Sequence, residues 1–403
     1  MENKMKFIPK ERPMGREHEK IILSLRSHDK RKFGGMFYTD GGTKLHVAVN
    51  GADDPLIEQL AQKDVVFHQV AHTWEDLNTL QAAIGTMFGK HGVHTSGFLP
   101  QKNCLYIGVD NLNDDIRSDI LRDLRGLGYA DNGMFMIVQE ERASGNDAMT
   151  TAEESVESEA VVLASDEEIS LATDTLATIM PGGLIQRRDS SGSYHNLSSL
   201  NFGYMYNGAP YLVIAGHVGA NNDNYSGQSA YYVPPTTGYP IADVSTSFNS
   251  TNRVKVGTFA LQNLGGNYDI RTIRVTTANL AFTHTAYNGW TINKVGGDIE
   301  VGDPLRICGV TTRYDAAYEY GSCDAIQVEK EAYGTTLRGL FRLNFGANNG
   351  TSGGPVITQD PNGDIRLVGL ASVNGTSQCW AMPVQPMIDA YNLSMMSAGT
   401  ISV

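Results

Sequence analysis

Three residues of this chain have the types and settings that covalent chemistry needs. Ser352 lies in the glycine-rich stretch NNGTSGGPV, residues 348–356, between two strand-like runs. Glycines let a backbone close tightly around a hydroxyl and aim successive N–H groups at one point, where a tetrahedral oxyanion would sit. The N–H groups of Gly350 and Ser352 are the candidate donors. A serine nucleophile needs a base, and His217 ends the apolar run YLVIAGHV, a rigid platform with an exposed tip. The histidine needs a carboxylate to set its tautomer, and Asp269 stands at the mouth of the alternating run DIRTIRV. Each also admits a plainer reading: a glycine loop, a core histidine satisfied by a carbonyl, a solvated strand-end acid. Together, in the order His217, Asp269, Ser352, they match one of the orders in which catalytic triads occur.

The elements that must hold these residues differ along the chain. From Pro181 onward, short strand-like runs such as LRICGV and LVGLASV alternate with Gly, Asn, Ser and Pro clusters, and the only helix signal is 386–391. Many short strands at that spacing mean a sandwich or barrel. Residues 33–140 read as α+β. KLHVAVN places Leu45, Val47 and Val49 on one face, Thr73 and Asp76 form a capping-box pattern before Leu77, Leu80, Ile84 and Phe88, and Asp114 or Asp115 opens a helix carrying Ile116, Ile120, Leu121 and Leu124. Between these halves, seven acids from Glu153 to Glu168 with no base or aromatic mark a solvated linker.

Composition excludes several functions. The 403 residues are 41% hydrophobic, enough for a large core, and no apolar run reaches the length of a membrane helix. The formal charge is −13, most of it before Pro181, with no basic stripe for nucleic acid or an anionic membrane. Residues 1–20 carry no apolar secretion segment. The four cysteines, Cys104, Cys308, Cys323 and Cys379, lack the close pairing of a zinc site. GTMFGK (85–90) is one residue short of a phosphate loop, and His91 with His94 reads as a solvated turn rather than a metal site. No metal and no cofactor is called for.

The second half resembles the streptogrisin and alpha-lytic protease family, bacterial secreted serine endopeptidases. IMPGGLI (179–185) is similar to the start of the mature enzymes, AGHV to their histidine segment, YDIRTIRV to their aspartate strand, TSGGPV to their nucleophile turn and GLASVNG to the strand that pairs with substrate backbone. FGGMFYTDGGTKLHVAV, WEDLNTLQ and CLYIGVD resemble the family's pro-region, a folding assistant and inhibitor. The resemblance implies an α+β pro-domain followed by an all-β chymotrypsin-like double β-barrel. The implied division is a 1–32 N-terminal extension, a 33–142 pro-region, a 143–178 acidic linker and processing region, and a 179–403 protease domain. It further implies a secreted, extracellular zymogen, monomeric, that acts on protein or peptide substrates and is held by its own pro-region until cut near 174–181. Ser372, Val373 and Asn374 are the implied substrate edge.

The departures from the family are specific. Members carry Asp before the nucleophile and Arg after the first cysteine of a bridge; Thr351 and Gly309 stand here, a paired loss that avoids a buried lone charge. Val218 replaces a cysteine beside the histidine, and Ala371 stands where glutamate-selective relatives carry His. Cys308 and Cys323 match one family disulfide, a bond implying an oxidising compartment and worth about 3 kcal/mol. Cys379 lacks its family partner near Gly346, so it and Cys104 are expected as free thiols. The rival reading is a non-catalytic chymotrypsin-fold binding protein.

Overall fold

A computed structural model describes residues 32–40, 44–51, 57, 65–142, 177–188, 192, 194–218, 225–234, 253–310, 320–347, 350–360 and 363–403. The expected N-terminal extension and most of the acidic linker lie outside the described residues.

The N-terminal part is a layer of strands and helices. Strands β1 (Phe33–Thr39), β2 (Lys44–Val49) and β3 (Val65–Gln69) form one small sheet, β1 antiparallel and β3 parallel to β2. Leu45, Val47 and Val49 face its core, as period-two alternation requires. Helix α1 (Trp74–Gly85) starts at the capping box: the Asp76 N–H donates to Thr73 Oγ1 at 3.1 Å and the Thr73 N–H donates to Asp76 Oδ2 at 2.9 Å. It buries Leu77, Leu80 and Ile84, while Phe88 falls beyond its end. Strands β4 (Val93–Leu99) and β5 (Cys104–Val109) pair antiparallel, and β6 (Phe135–Gln139) joins β5 in parallel after helix α2 (Asp114–Gly126). Asn113, not Asp114 or Asp115, caps α2, its Oδ1 accepting the Ile116 N–H at 2.9 Å.

The C-terminal part holds two barrels. The first uses β8 (Leu184–Arg188), β9 (Tyr194–Ser199), β10 (Phe202–Tyr206), β11 (Ala209–Ile214), β12 (Ser229–Val233), β13 (Val254–Gly265) and β14 (Tyr268–Val275), with the short β7 (Ala177–Ile179) ahead of them. Only Leu200 and Asn201 separate β9 from β10, and their N–H groups reach Gly183 O and Val213 O. One bent run therefore pairs with β8 on one side and β11 on the other, and the order β8, β12, β13, β14, β11 closes on it. Closure leaves no sheet edge.

Two connecting strands follow: β15 (Leu280–Phe282), which pairs with β7, and β16 (Ile292–Val295). The second barrel comprises β17 (Pro304–Ile307), β18 (Tyr320–Ala332), β19 (Thr335–Leu343), β20 (Pro355–Gln359), β21 (Ile365–Asn374) and β22 (Cys379–Pro383). Its order β17, β20, β21, β22, β19, β18 returns to β17 through a direct β17–β18 pairing. Helix α3 (Gln385–Tyr391), β23 (Ser394–Met395) and β24 (Gly399–Thr400) complete the chain. The architecture is thus an α+β layer followed by an all-β double barrel.

Strand β18 extends beyond its barrel, and β4 adds to its outer part, with Ile326 opposite Phe98, Glu329 opposite Ser96 and Lys330 opposite Thr95. The N-terminal layer and the second barrel share one apolar core, in which Leu80, Ile84, Ile120 and Leu124 meet Ile307, Phe341, Leu343 and Val356. No helix among the described residues is long and apolar enough to cross a membrane.

The disulfide expectation is corrected. All four cysteines are buried free thiols. The β17–β18 register sets Cys323 against Asp303, whose carbonyl accepts the Cys323 N–H at 2.9 Å, while Cys308 stands five residues further along. At about 3.3 Å per residue the two α-carbons lie roughly 16 Å apart, against the ~7 Å limit for a bond. Asn288 Nδ2 instead donates to Cys308 Sγ, and Cys323 Sγ–H donates to Ala325 O at 3.3 Å.

Candidate active site

The three chemically suggestive residues come from three different elements and meet between the barrels. His217 follows β11, Asp269 is the second residue of β14, and Ser352 occupies the turn before β20. His217 Nε2 lies 3.0 Å from Ser352 Oγ, and His217 Nδ1 lies 2.9 Å from Asp269 Oδ2. All three side chains are buried, which corrects the exposed tip expected for His217: the Tyr333 ring lies over its imidazole. Asp269 also accepts the His217 backbone N–H at 2.8 Å and the Ser372 hydroxyl.

Charge follows from these contacts. Burial alone would raise the Asp269 pKa, but the electrostatic interaction with His217 and the hydrogen bonds from His217 and Ser372 hold it below the ordinary carboxylate value. An ionised carboxylate can only accept, so the proton of neutral His217 sits on Nδ1. Nε2 is then the acceptor, and the Ser352 hydroxyl donates to it. Asn374 Nδ2 donates to the same Ser352 oxygen at 3.1 Å, leaving the serine proton aimed at the imidazole.

The Ser352 turn is held by the first barrel. The Ser199 N–H and the Ser198 hydroxyl donate to Ser352 O at 2.9 and 2.7 Å, and the Ser199 hydroxyl donates to Gly350 O at 2.7 Å. Gly353 has φ +83°, and a Cβ there would stand 2.3 Å from both Ser198 Oγ and Ser199 O, so no other residue fits. Thr351 and Gly309 pack face to face: a Cβ on Gly309 would come within 3.0 Å of Thr351 Cα and Cγ2. This contact is neutral on both sides.

Ser372, Val373 and Asn374 end β21. Val373 and Asn374 pair with Trp380 and Cys379 of β22, and no strand among the described residues pairs with their other edge. Gly350 is placed in the turn beside Ser352, whereas 348 and 349 lie outside the described residues. Cys308 and Cys323 are not part of this constellation.

Two features escaped the sequence reading. Tyr333 lies flat on His217, ring centroids 3.9 Å apart at 3°, and its hydroxyl donates to Ser372 O at 2.8 Å. The available signal was Tyr-Gly as a two-residue link between alternating runs. The second is a buried charge cluster where the N-terminal layer meets the second barrel: Glu140 contacts Lys330 Nζ at 3.0 Å and the Arg342 guanidinium at 3.1 Å. Its members are far apart in sequence. His94 belongs beside it, fully buried with Nε2 3.1 Å from Glu140 O, which corrects the solvated-turn reading for this residue. His91 pairs with Asp123 at 3.0 Å. No group of three or more His, Cys, Asp or Glu among the described residues is arranged for a metal.

No protein-family model matches the chain, and no curated protein matches its sequence. Among solved structures it is similar to the alpha-lytic protease homolog N4, at 18% identity and a TM-score of 0.39, with 54% of this chain and 98% of that one covered. It is similar also to Nocardiopsis protease NAPase, at 20% identity and a TM-score of 0.39, covering 55% of this chain and all of that one. Thermobifida fusca protease A gives 17% identity and a TM-score of 0.37, covering 56% of this chain and all of that one.

Proposed function

We propose that the chain is the zymogen of a serine endopeptidase. The observation that carries this reading is the buried chain of contacts from Asp269 through His217 to Ser352, whose distances suit proton withdrawal from the hydroxyl. Ser352 Oγ attacks the scissile carbonyl carbon while His217 Nε2 takes the hydroxyl proton. The resulting oxyanion is held by the N–H groups of Gly350 and Ser352. His217 returns the proton to the departing amine as the C–N bond breaks, leaving an acyl-serine. Water, deprotonated by His217, hydrolyses that ester and restores the site. The open edge of Ser372, Val373 and Asn374 suits a substrate backbone added as a strand. A binding protein without catalysis would have no need of the relay.

In this reading the 33–142 layer is the pro-region. Its last described residues approach the substrate edge, where the Thr376 hydroxyl donates to Glu141 Oε2 at 3.0 Å. Processing belongs on the N-terminal side of Ala177, because Ala177 to Ile179 are paired in parallel with β15 and Ile179 is fully buried. With Cys308 and Cys323 as thiols, extracellular placement rests on the family resemblance alone. The test is intact mass and N-terminal sequencing after incubation, beside the Ser352→Ala variant, with fluorophosphonate labelling of both. A fragment starting at or shortly before Ala177, and a Ser352 adduct, only from the unaltered chain, support the proposal. Identical behaviour of the two chains refutes it.

A further inference from the structure

We propose, resting on the protease reading above, that Tyr333 is a built-in cover that closes the site of the resting chain and must be displaced by substrate. Three independent observations meet on this residue. Its ring stacks on the imidazole of His217, at 3.9 Å and nearly parallel, so one face of the base is covered. His217 is accordingly fully buried and Ser352 nearly so, although a peptide must reach both. The Tyr333 hydroxyl donates to Ser372 O at 2.8 Å. Ser372 is skipped in the pairing of β21 with β22 and lies beyond its pairing with β20, so its carbonyl is an acceptor open to a substrate added as a strand. The ring thus blocks the base, and the hydroxyl fills a place on the edge.

The third observation is backbone conformation. Ala332 and Thr335 are a paired couple, so Tyr333 and Gly334 alone make the turn between β18 and β19, with φ of +53° and +73°. A two-residue link with both φ positive is the type I′ hairpin, which favours Asn-Gly. A bulky aromatic in the left-handed region is disfavoured and persists where its surroundings hold it for a use. Here the ring is held by His217 and Ser372.

What moves is the side chain. The stem of the hairpin is tied down on β19, where Gly266 N–H donates to Thr336 O at 3.0 Å and Arg338 N–H donates to Gly266 O at 2.6 Å. On β18 it is tied down by β4 and by Gln81 Nε2, which donates to Gln327 O at 2.7 Å. Tyr333 itself is only half-buried. Rotation about χ1 releases both contacts without opening a strand, and substrate binding selects that rotated state.

The test uses the full chain in a Ser352→Ala background, which removes self-cleavage, with diethyl pyrocarbonate as a probe of His217 accessibility read by peptide mass mapping. His195 and His284 serve as internal references. Tyr333→Asn places the favoured residue in the turn, so folding is preserved while the ring is lost. Carbethoxylation of His217 is expected to accelerate at least tenfold in Tyr333→Asn. Tyr333→Phe, lacking one neutral hydrogen bond, should show about a fivefold increase. A Tyr333→Asn rate within twofold of its parent overturns the cover, and a Tyr333→Phe rate equal to the parent overturns the latch on Ser372. With Ser352 restored, fluorophosphonate labelling should rise in the same order. Absence of any Ser352 adduct, with His217 still faster in Tyr333→Asn, sinks the protease reading while the cover stands.

Discussion

Glu140→Gln tests how the N-terminal layer is held to the second barrel. The substitution keeps the shape of the side chain and removes its charge, so no cavity contributes. Glu140 is 3% exposed and Lys330 0%, and among the described residues the other partners of the Lys330 ammonium are Thr95 Oγ1, Glu141 O and the face of Trp380. Breaking a buried pair by neutralising one member strands the other charge, at about 3–5 kcal/mol. At ~1.4 kcal/mol per decade that is from about a hundredfold to a few thousandfold in the equilibrium between docked and open layers. Hydrogen exchange in the Ser352→Ala chain reads it directly: amides of β4 and of Ile326 to Lys330 should exchange at least a hundredfold faster. Amides of β11 and β14 should not change. Acid provides an independent arm. Burial pushes the Glu140 carboxyl up, but Lys330 and Arg342 pull it below its ordinary 4.5, so its contribution is complete above about pH 4.5 and is lost as pH falls through the lower folded value. The unaltered chain should loosen at β4–β18 in that window, and Glu140→Gln should not respond. Less than a tenfold change in exchange at neutral pH would refute the reasoning.

Other outcomes follow from the same geometry. Asp269→Asn should leave the fold intact and lower peptide hydrolysis by about 10⁴-fold, because the imidazole loses the acceptor that keeps its proton on Nδ1; a loss under tenfold would remove Asp269 from the relay. Thr351→Asp should bury an uncompensated carboxylate and lower the urea midpoint by the equivalent of a few kcal/mol. Adding Gly309→Arg should not repair it, since the new Cβ meets Thr351 backbone at 3.0 Å; recovered stability would contradict that packing. Alkylation without reductant should find no fast-reacting cysteine in the native chain and four in denaturant, and a recovery of two would reinstate the Cys308–Cys323 bond.

What could be read from the sequence was local or carried by residue type. The Thr73–Asp76 capping box spans three residues, and the alternation at Leu45, Val47 and Val49 is a property of one strand, so both are visible without knowing the partners. His217, Asp269 and Ser352 stood out because each ends or interrupts an apolar run, and the structure brings the three together. What depends on register was hidden. The family resemblance implied a Cys308–Cys323 bond, and the β17–β18 register separates the two residues. The addition of β4 to β18 joins residues more than two hundred positions apart, and with it came the burial of His94, Glu140 and Lys330. Asn113 capped α2 ahead of two acids that offered the same chemistry.

The neutral contact between Thr351 and Gly309 reaches beyond packing. The hydrogen bonds that hold the Ser352 turn to the first barrel come from the Ser198 and Ser199 hydroxyls and one backbone amide, none of which carries charge. Neither added salt nor acid weakens such a support directly, because there is nothing in it to screen or to protonate. Acid should therefore act on this protein at the Glu140 cluster, where its two parts join, and leave the hydrogen bonds that support the Ser352 turn unchanged. A turn supported in this way responds to the medium only through how tightly the two parts of the molecule are held together.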